Sequence, residues 1–246
     1  MDSKVFVTDS STGNVVATMS GHTKPVRRVL FHQASDMDMV FSSADVVKVW
    51  KADGKEICTF NNHKGDINAI SLHATGDYLV SASADKSWAF YDLTKATCCQ
   101  VVTDKDAAGG YSAAQLHPDG LILGTGTTDS MVKVWDVKTI SNVVTFKATP
   151  GGPVGSISFS ENGYYMATTG ADGLKVWDLR KLAKQGADAQ PAKVFEGNWK
   201  DARFDYSGTY LVGAGSSVKV WLAKSWNDVV ELKGHKSEAV GAAFGK

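Results

Sequence analysis

The sequence is poor in cysteine and proline, carries no net charge and has no long apolar run. Its 246 residues include only Cys58, Cys98 and Cys99. An odd cysteine count with no framework of spacings argues against a disulfide-stapled scaffold and for a reducing compartment. Cys98 and Cys99 are neighbours and offer a strained vicinal disulfide or a pair of metal ligands as alternatives, but successive strand residues face opposite ways, so they read as two free thiols on opposite faces of one strand. There is no CxxC or HExxH, so no metal and no cofactor are expected. No stretch of about 18 apolar residues is present, which excludes a membrane-spanning helix. The opening Met1-Asp2-Ser3-Lys4, followed by Val5-Phe6-Val7, is too short and polar for a secretory signal. Lys+Arg and Asp+Glu are equal at 26 each. That balance argues against a chain built to coat nucleic acid or an anionic membrane, and no direct nucleic-acid partner is expected. Against 5 prolines stand 24 glycines, a composition suited to many tight turns between short strands.

What the chain does contain is a repeat. A short β-like phrase ending in an aromatic recurs at Phe6, Trp50, Tyr91, Trp135, Trp177 and Trp221, usually as Lys-Val-Trp. The intervals are 44, 41, 44, 42 and 44 residues, a period typical of a four-stranded propeller blade. Each unit repeats one order. A small alternating strand such as Ile67 to Leu72 is followed by a turn such as Thr75-Gly76-Asp77. A second strand of small residues, such as Tyr78 to Ser83, leads to the aromatic strand and then an outer strand. No segment shows a helical stripe, and Leu182 to Ala192 reads as a surface loop. The units divide the chain as a single domain, 1–246, with a partial first blade at 1–19. Whole blades follow at about 22–60, 63–103, 107–147, 150–195 and 197–232, and a partial last blade at 235–246. That is twenty-three strands including Ala239 to Phe244, about six units.

The dipeptides Trp135-Asp136 and Trp177-Asp178, with Gly21-His22 and Gly234-His235, resemble the WD-repeat β-propellers. Longer phrases narrow the resemblance. They are Leu72-His73-Ala74-Thr75-Gly76-Asp77-Tyr78-Leu79, His117-Pro118-Asp119-Gly120-Leu121, and Phe159-Ser160-Glu161-Asn162-Gly163-Tyr164-Tyr165 running on to Trp177-Asp178-Leu179-Arg180-Lys181-Leu182. These are similar to the C-terminal propeller of the pre-mRNA-processing factor 19 family of spliceosomal U-box ubiquitin ligases. The resemblance implies an all-β, seven-bladed propeller of which this chain covers about six units, with the ring incomplete at both ends; the rival geometry is a six-bladed ring whose last blade combines Ala239 to Phe244 with the two N-terminal strands. It also implies nuclear localisation and a protein-interaction scaffold that docks splicing-complex components and ubiquitination substrates. The ligase activity would reside in a U-box absent from this sequence, and oligomerisation in regions outside it, so this chain alone is not expected to be an enzyme. A WD-repeat scaffold or adaptor of another multiprotein complex is the alternative.

By the family's pattern, a His, a Ser or Thr, an Asp and the aromatic form a buried network within a blade. The matching residues are His22, Ser43, Asp45 and Trp50; His63, Ser83 and Asp85 with Tyr91; Thr127 and Asp129 with Trp135; and Asp172 with Trp177. His, Ser and Asp also make hydrolase triads, but a set that recurs blade by blade, with no G-x-S-x-G elbow, points to structure rather than catalysis, and no catalytic residue is expected. Propeller ligands bind on loop-lined rims. The candidate partner-binding residues by repeat alignment are Lys24, Arg27, Asn68, Trp88, Tyr111, Trp199 and Lys200, chosen because aromatics and arginine anchor interfaces.

Overall fold

The computed structural model describes residues 3–32 and 38–245; residues 1, 2 and 246 of the expected terminal blades and 33–37 of the expected blade at about 22–60 lie outside them. The chain divides into two compact units, residues 1–111 and 112–246. The first holds a two-stranded pair, β1 (Lys4–Thr8) with β2 (Val15–Ser20), and two complete antiparallel meanders. One is β3 (Arg28–Phe31), β4 (Met39–Ser43), β5 (Val47–Lys51) and β6 (Glu56–Phe60); the other is β7 (Ile67–Leu72), β8 (Tyr78–Ser83), β9 (Ser87–Asp92) and β10 (Thr97–Thr103). The chain enters the second unit along β11 (Tyr111–Leu116), which is followed by β12 (Ile122–Thr127), β13 (Met131–Asp136) and β14 (Ser141–Lys147). Two more meanders complete it. They are β15 (Ile157–Phe159), β16 (Tyr165–Gly170), β17 (Gly173–Asp178) and β18 (Lys193–Phe195), then β19 (Trp199–Phe204), β20 (Tyr210–Gly215), β21 (Val218–Leu222) and β22 (Asn227–Leu232). Neighbours in sequence are neighbours in each sheet, as short hairpin connections require.

Alternation in the strands sends apolar side chains to both faces, because consecutive sheets of a unit pack face to face. In the first unit Phe41, Val47, Ile67, Leu79 and Tyr91 share one core cluster. In the second, Phe146, Trp177, Val154 and Ile157 share another, and Leu174, Trp199, Leu211 and Trp221 a third. Each fully buried aromatic contributes roughly 2–3 kcal/mol of transfer free energy. The small residues of the second strand are what permit this closeness: a Cβ on Gly126 of β12 would lie 2.6 Å from Val154.

Two sequence expectations change. A seven-residue helix, α1 (Leu179–Gln185), runs into the stretch expected to be loop, Leu182 to Ala192, and a 3₁₀ turn, Gly186–Asp188, follows within it. The helix is too short to show a stripe; it buries only Leu182, against the Phe146–Trp177 cluster. Asp178 caps it by accepting from the Arg180 amide. The expected last strand, Ala239 to Phe244, forms no ladder, so the described residues contain twenty-two strands. It is tied instead by the Ala239 amide to Gly215 O (2.7 Å) and the Ala242 amide to Asp201 Oδ2 (3.4 Å).

Candidate functional site

The recurring aromatic sets the geometry of the buried polar chain. In each sheet its cross-strand partner is an apolar residue of the second strand: Val40 for Trp50, Leu79 for Tyr91, Leu123 for Trp135, Met166 for Trp177. The long ring runs diagonally to the residue two places on, which faces the same way. There the structure places Ser42, Ser81, Thr125 and Thr168. Trp50 Nε1 donates to Ser42 Oγ at 2.7 Å, Trp135 Nε1 to Thr125 Oγ1 at 2.9 Å, and Trp177 Nε1 to Thr168 Oγ1 at 2.9 Å. Tyr91 Oη meets Ser81 Oγ at 2.9 Å. Opposite Trp221 the same position is Gly213, and the indole packs instead on Phe195 and Trp199.

Ser43, Ser83 and Thr127 are therefore not the network hydroxyls; Thr127 lies two residues beyond Thr125 and donates to Met131 O. Ser43 is one residue past Ser42, hence on the other face, and donates to Ile67 O. Ser83 lies two residues beyond Ser81, out of the tyrosine's reach, and donates to Asp66 O. Each serine ties its own sheet's second strand to the start of an inner strand.

The most complete chain is in the β7–β10 sheet. His63 Nε2 lies 2.6 Å from Ser81 Oγ, and Nδ1 lies 2.8 Å from Ser87 Oγ. The Ser87 hydroxyl and amide donate to Asp85 Oδ1, and the Lys64 amide to Oδ2. Satisfying every group fixes the polarity: Tyr91 donates to Ser81, Ser81 to Nε2, and Nδ1–H to Ser87, which donates to the carboxylate. Burial pushes the His63 imidazole below its ordinary range, against the raising influence of Asp85. Burial pushes Asp85 up, but its Ser87 and Lys64 hydrogen bonds prevail and hold it below the usual carboxylate range. Ser87 is the linking residue that sequence spacing missed.

In the β3–β6 sheet the chain stops halfway. His22 Nε2 meets Ser42 Oγ at 2.7 Å, yet His22 Nδ1 and Asp45 Oδ1 are both buried without a protein partner. Asp45 Oδ2 accepts from Thr23 instead. Burial lowers the His22 pKa, and the Lys48 cation adds to this. The sheets without a histidine differ again. Asp129 is exposed in its turn, while the Trp135 indole donates to Thr125. Asp172 pairs through Oδ2 with Lys175 Nζ at 2.6 Å, and that ammonium also donates to Ala148 O at 2.7 Å. A lysine thus makes the strand-to-loop tie that histidine makes elsewhere.

The candidate contact residues separate by burial. Trp88, Tyr111 and Trp199 are 1%, 0% and 6% exposed, so all three are core side chains rather than rim contacts. Tyr111 donates to Asp104 Oδ2, and Trp199 to Phe195 O and Glu196 O. Half-buried Asn68 donates to Tyr111 O at 2.7 Å. It is one rung of a side-chain-to-backbone series that satisfies the free edge of an inner strand. Ser112 to Val154 O, and the Phe159 amide to Gln115 Oε1, are others in the second unit. The exposed candidates are cations held by acids. In the first unit Lys24 and Arg27 both reach Asp66, at 2.7 and 3.1 Å. In the second, Lys200 reaches Glu238 at 3.5 Å and Asn198 donates to the same carboxylate.

Blade-like meanders, a diagonal aromatic-to-hydroxyl bond in four sheets and buried histidines at the loop ends define the chain as a WD-repeat β-propeller protein. The family model "WD domain, G-beta repeat" matches residues 54–92, 98–136 and 140–178. The first of these spans β6 and the three strands of the following sheet, so one sequence repeat serves two sheets. More narrowly, the chain closely resembles pre-mRNA-processing factor 19. It is 42% identical over 247 residues to the protein of that name from Mus musculus, covering 99% of this chain and 48% of the relative. It is 41% identical over 244 residues to pre-mRNA-processing factor 19 homolog 2 of Arabidopsis thaliana, covering 94% and 44%. To the Caenorhabditis elegans protein it is 38% identical over 249 residues, covering 100% and 50%. The chain spans about half the length of the curated relatives it matches.

Proposed function

We propose that this chain, read as one propeller domain over residues 1–246, is the partner- and substrate-docking platform of a nuclear pre-mRNA splicing factor of the U-box ubiquitin ligase type. The observation that carries this reading is resemblance to pre-mRNA-processing factor 19 over 94–100% of the chain. Burial of the histidine–hydroxyl networks supports a scaffold rather than an enzyme, since His22 and His63 are 6% and 7% exposed and committed to holding strands together. Ligase activity would need the U-box, and assembly the regions outside this chain. Of the candidate contact residues, Lys24, Arg27 and Lys200 are exposed even while ion-paired, and they favour partners whose acidic side chains compete for these cations. The test is capture from nuclear extract on the immobilised chain, with bound proteins quantified by mass spectrometry. Splicing-complex components should be enriched, and the Lys24→Glu, Arg27→Glu double variant should retain less than about a tenth of them, a loss of at least 1.4 kcal/mol. Recovery of none by this chain, while a full-length relative recovers them, overturns the docking role. Unchanged capture by the double variant removes those two residues from it.

A further inference from the structure

The outer strands share an irregularity that gives the adjacent cysteines a use. In four sheets the ladder slips by one residue opposite the aromatic of the third strand. Trp50 pairs with Glu56 and Val49 with Cys58, skipping Ile57; Trp135 pairs with Asn142, skipping Val143; Trp221 pairs with Asp228, skipping Val229. In β10 the slip falls between Cys98 and Gln100, so Cys98 pairs with Tyr91 and Cys99 has no cross-strand partner. Where those three sheets carry a polar residue and then an aliphatic one, this sheet carries two thiols. The slip interrupts the strand alternation that was expected to hold them on opposite faces. Cys98 is half-buried, and its thiol turns along the strand to donate to Gln100 O at 3.5 Å, across Cys99. Cys99 is exposed. β10 is the outermost strand of its sheet, so its backbone can adjust without a second ladder to break.

We propose that Cys98 and Cys99 form a redox-responsive dithiol, closed to a vicinal disulfide by a peroxide. The exposed Cys99 thiolate attacks one peroxide oxygen. The O–O bond breaks, a sulfenic acid forms at Cys99, and the departing oxygen leaves as water or an alcohol after taking a proton. The Cys98 sulfur then attacks the sulfenyl sulfur, the S–S bond forms, and the hydroxyl leaves as water with the second thiol proton. Two thiols are oxidised by two electrons and one peroxide is reduced. Accessibility makes Cys99 the attacking group. Burial pushes the Cys98 thiol up, which leaves the first attack to Cys99. A ring closed through one peptide bond is strained, so thiols should reopen it readily.

The experiment is intact-mass analysis of the whole chain after hydrogen peroxide and alkylation of the remaining thiols. The dithiol predicts a monomer lighter by two hydrogens that takes up one alkyl group, at Cys58, instead of three, and that dithiothreitol restores. Cys98→Ser should leave Cys99 carrying added oxygen, and Cys99→Ser should leave Cys98 alkylatable. Retention of three alkylatable thiols, overoxidation of Cys99 in the unaltered chain, or a disulfide-linked dimer overturns the proposal.

Discussion

A hydroxyl two residues along from the aromatic's cross-strand partner decides how each sheet anchors its indole or phenol. Ser42 is wholly buried between Trp50 Nε1 and His22 Nε2, so replacing it with alanine leaves a donor and an acceptor facing no partner. Ser42→Ala should cost roughly 1–3 kcal/mol. Ser43→Ala removes a longer, 3.3 Å bond to a backbone carbonyl and should cost less than about 1 kcal/mol. Denaturant unfolding of the two variants gives the comparison, and an equal or inverted order would contradict the diagonal geometry. The aromatic positions were legible in the sequence because they recur at near-equal intervals. The hydroxyls were not, because Ser42-Ser43 offers two serines of opposite facing and Ser81-Ala82-Ser83 offers two of the same facing. Only strand register says which the ring can reach.

Among the elements, the turns and caps follow most directly from local chemistry. The Asp of the Trp-Asp dipeptide acts just after its strand. Asp136 accepts from the Thr139 amide at 2.7 Å, and Asp178 accepts from the Arg180 amide while also gripping the Arg180 guanidinium. The Arg180 side chain, lying over the Tyr164 ring, holds the Asp178 carboxyl below its usual range. Asp178→Ala should lower stability by about 1 kcal/mol through lost capping. The effect should show as faster amide exchange over Leu179–Gln185 with the β16–β17 ladder still protected; uniform loss across both would contradict a local cap. A second device joins neighbouring sheets. His32 Nε2 lies 3.1 Å from Gly76 O, and His117 Nε2 lies 3.1 Å from Gly163 O, each ring lying against a glycine turn. Gly76 and Gly163 have φ of +81° and +72°, and a Cβ there would lie 2.6–2.8 Å from the ring. The glycine turns were visible in the sequence. Their pairing with a histidine some 45 residues earlier was not, since nothing local connects them. The helix was missed for a related reason: seven residues with one buried side chain carry no periodicity.

For the molecule as a whole, the buried imidazoles make stability depend on pH. His22 and His63 bind protons less readily when folded than when unfolded, chiefly because burial disfavours the cation. Their contribution is fully present above the unfolded value of about 6.5 and is lost as pH falls from there toward the lowered folded values. Below about pH 4 the hydrogen-bonded carboxylates add a second loss, with Asp9 and Asp92 held down to about 2 by their turn hydroxyls and amides. Unfolding midpoints measured from pH 7.5 to 5 should fall, and the fall should be shallower in a His22→Gln, His63→Gln variant. A slope unchanged by that double substitution would rule out these histidines as its source. The sequence by itself determined the repeat, the strand order within each unit, the all-β class and the family resemblance. All of these rest on composition and spacing, which act along the chain. Tertiary structure alone decided which serine meets the ring, which candidate aromatics are core, and where the outer strands slip beside Cys99. Those depend on register and on the approach of one sheet to the next, where a shift of a single residue exchanges the faces of a strand.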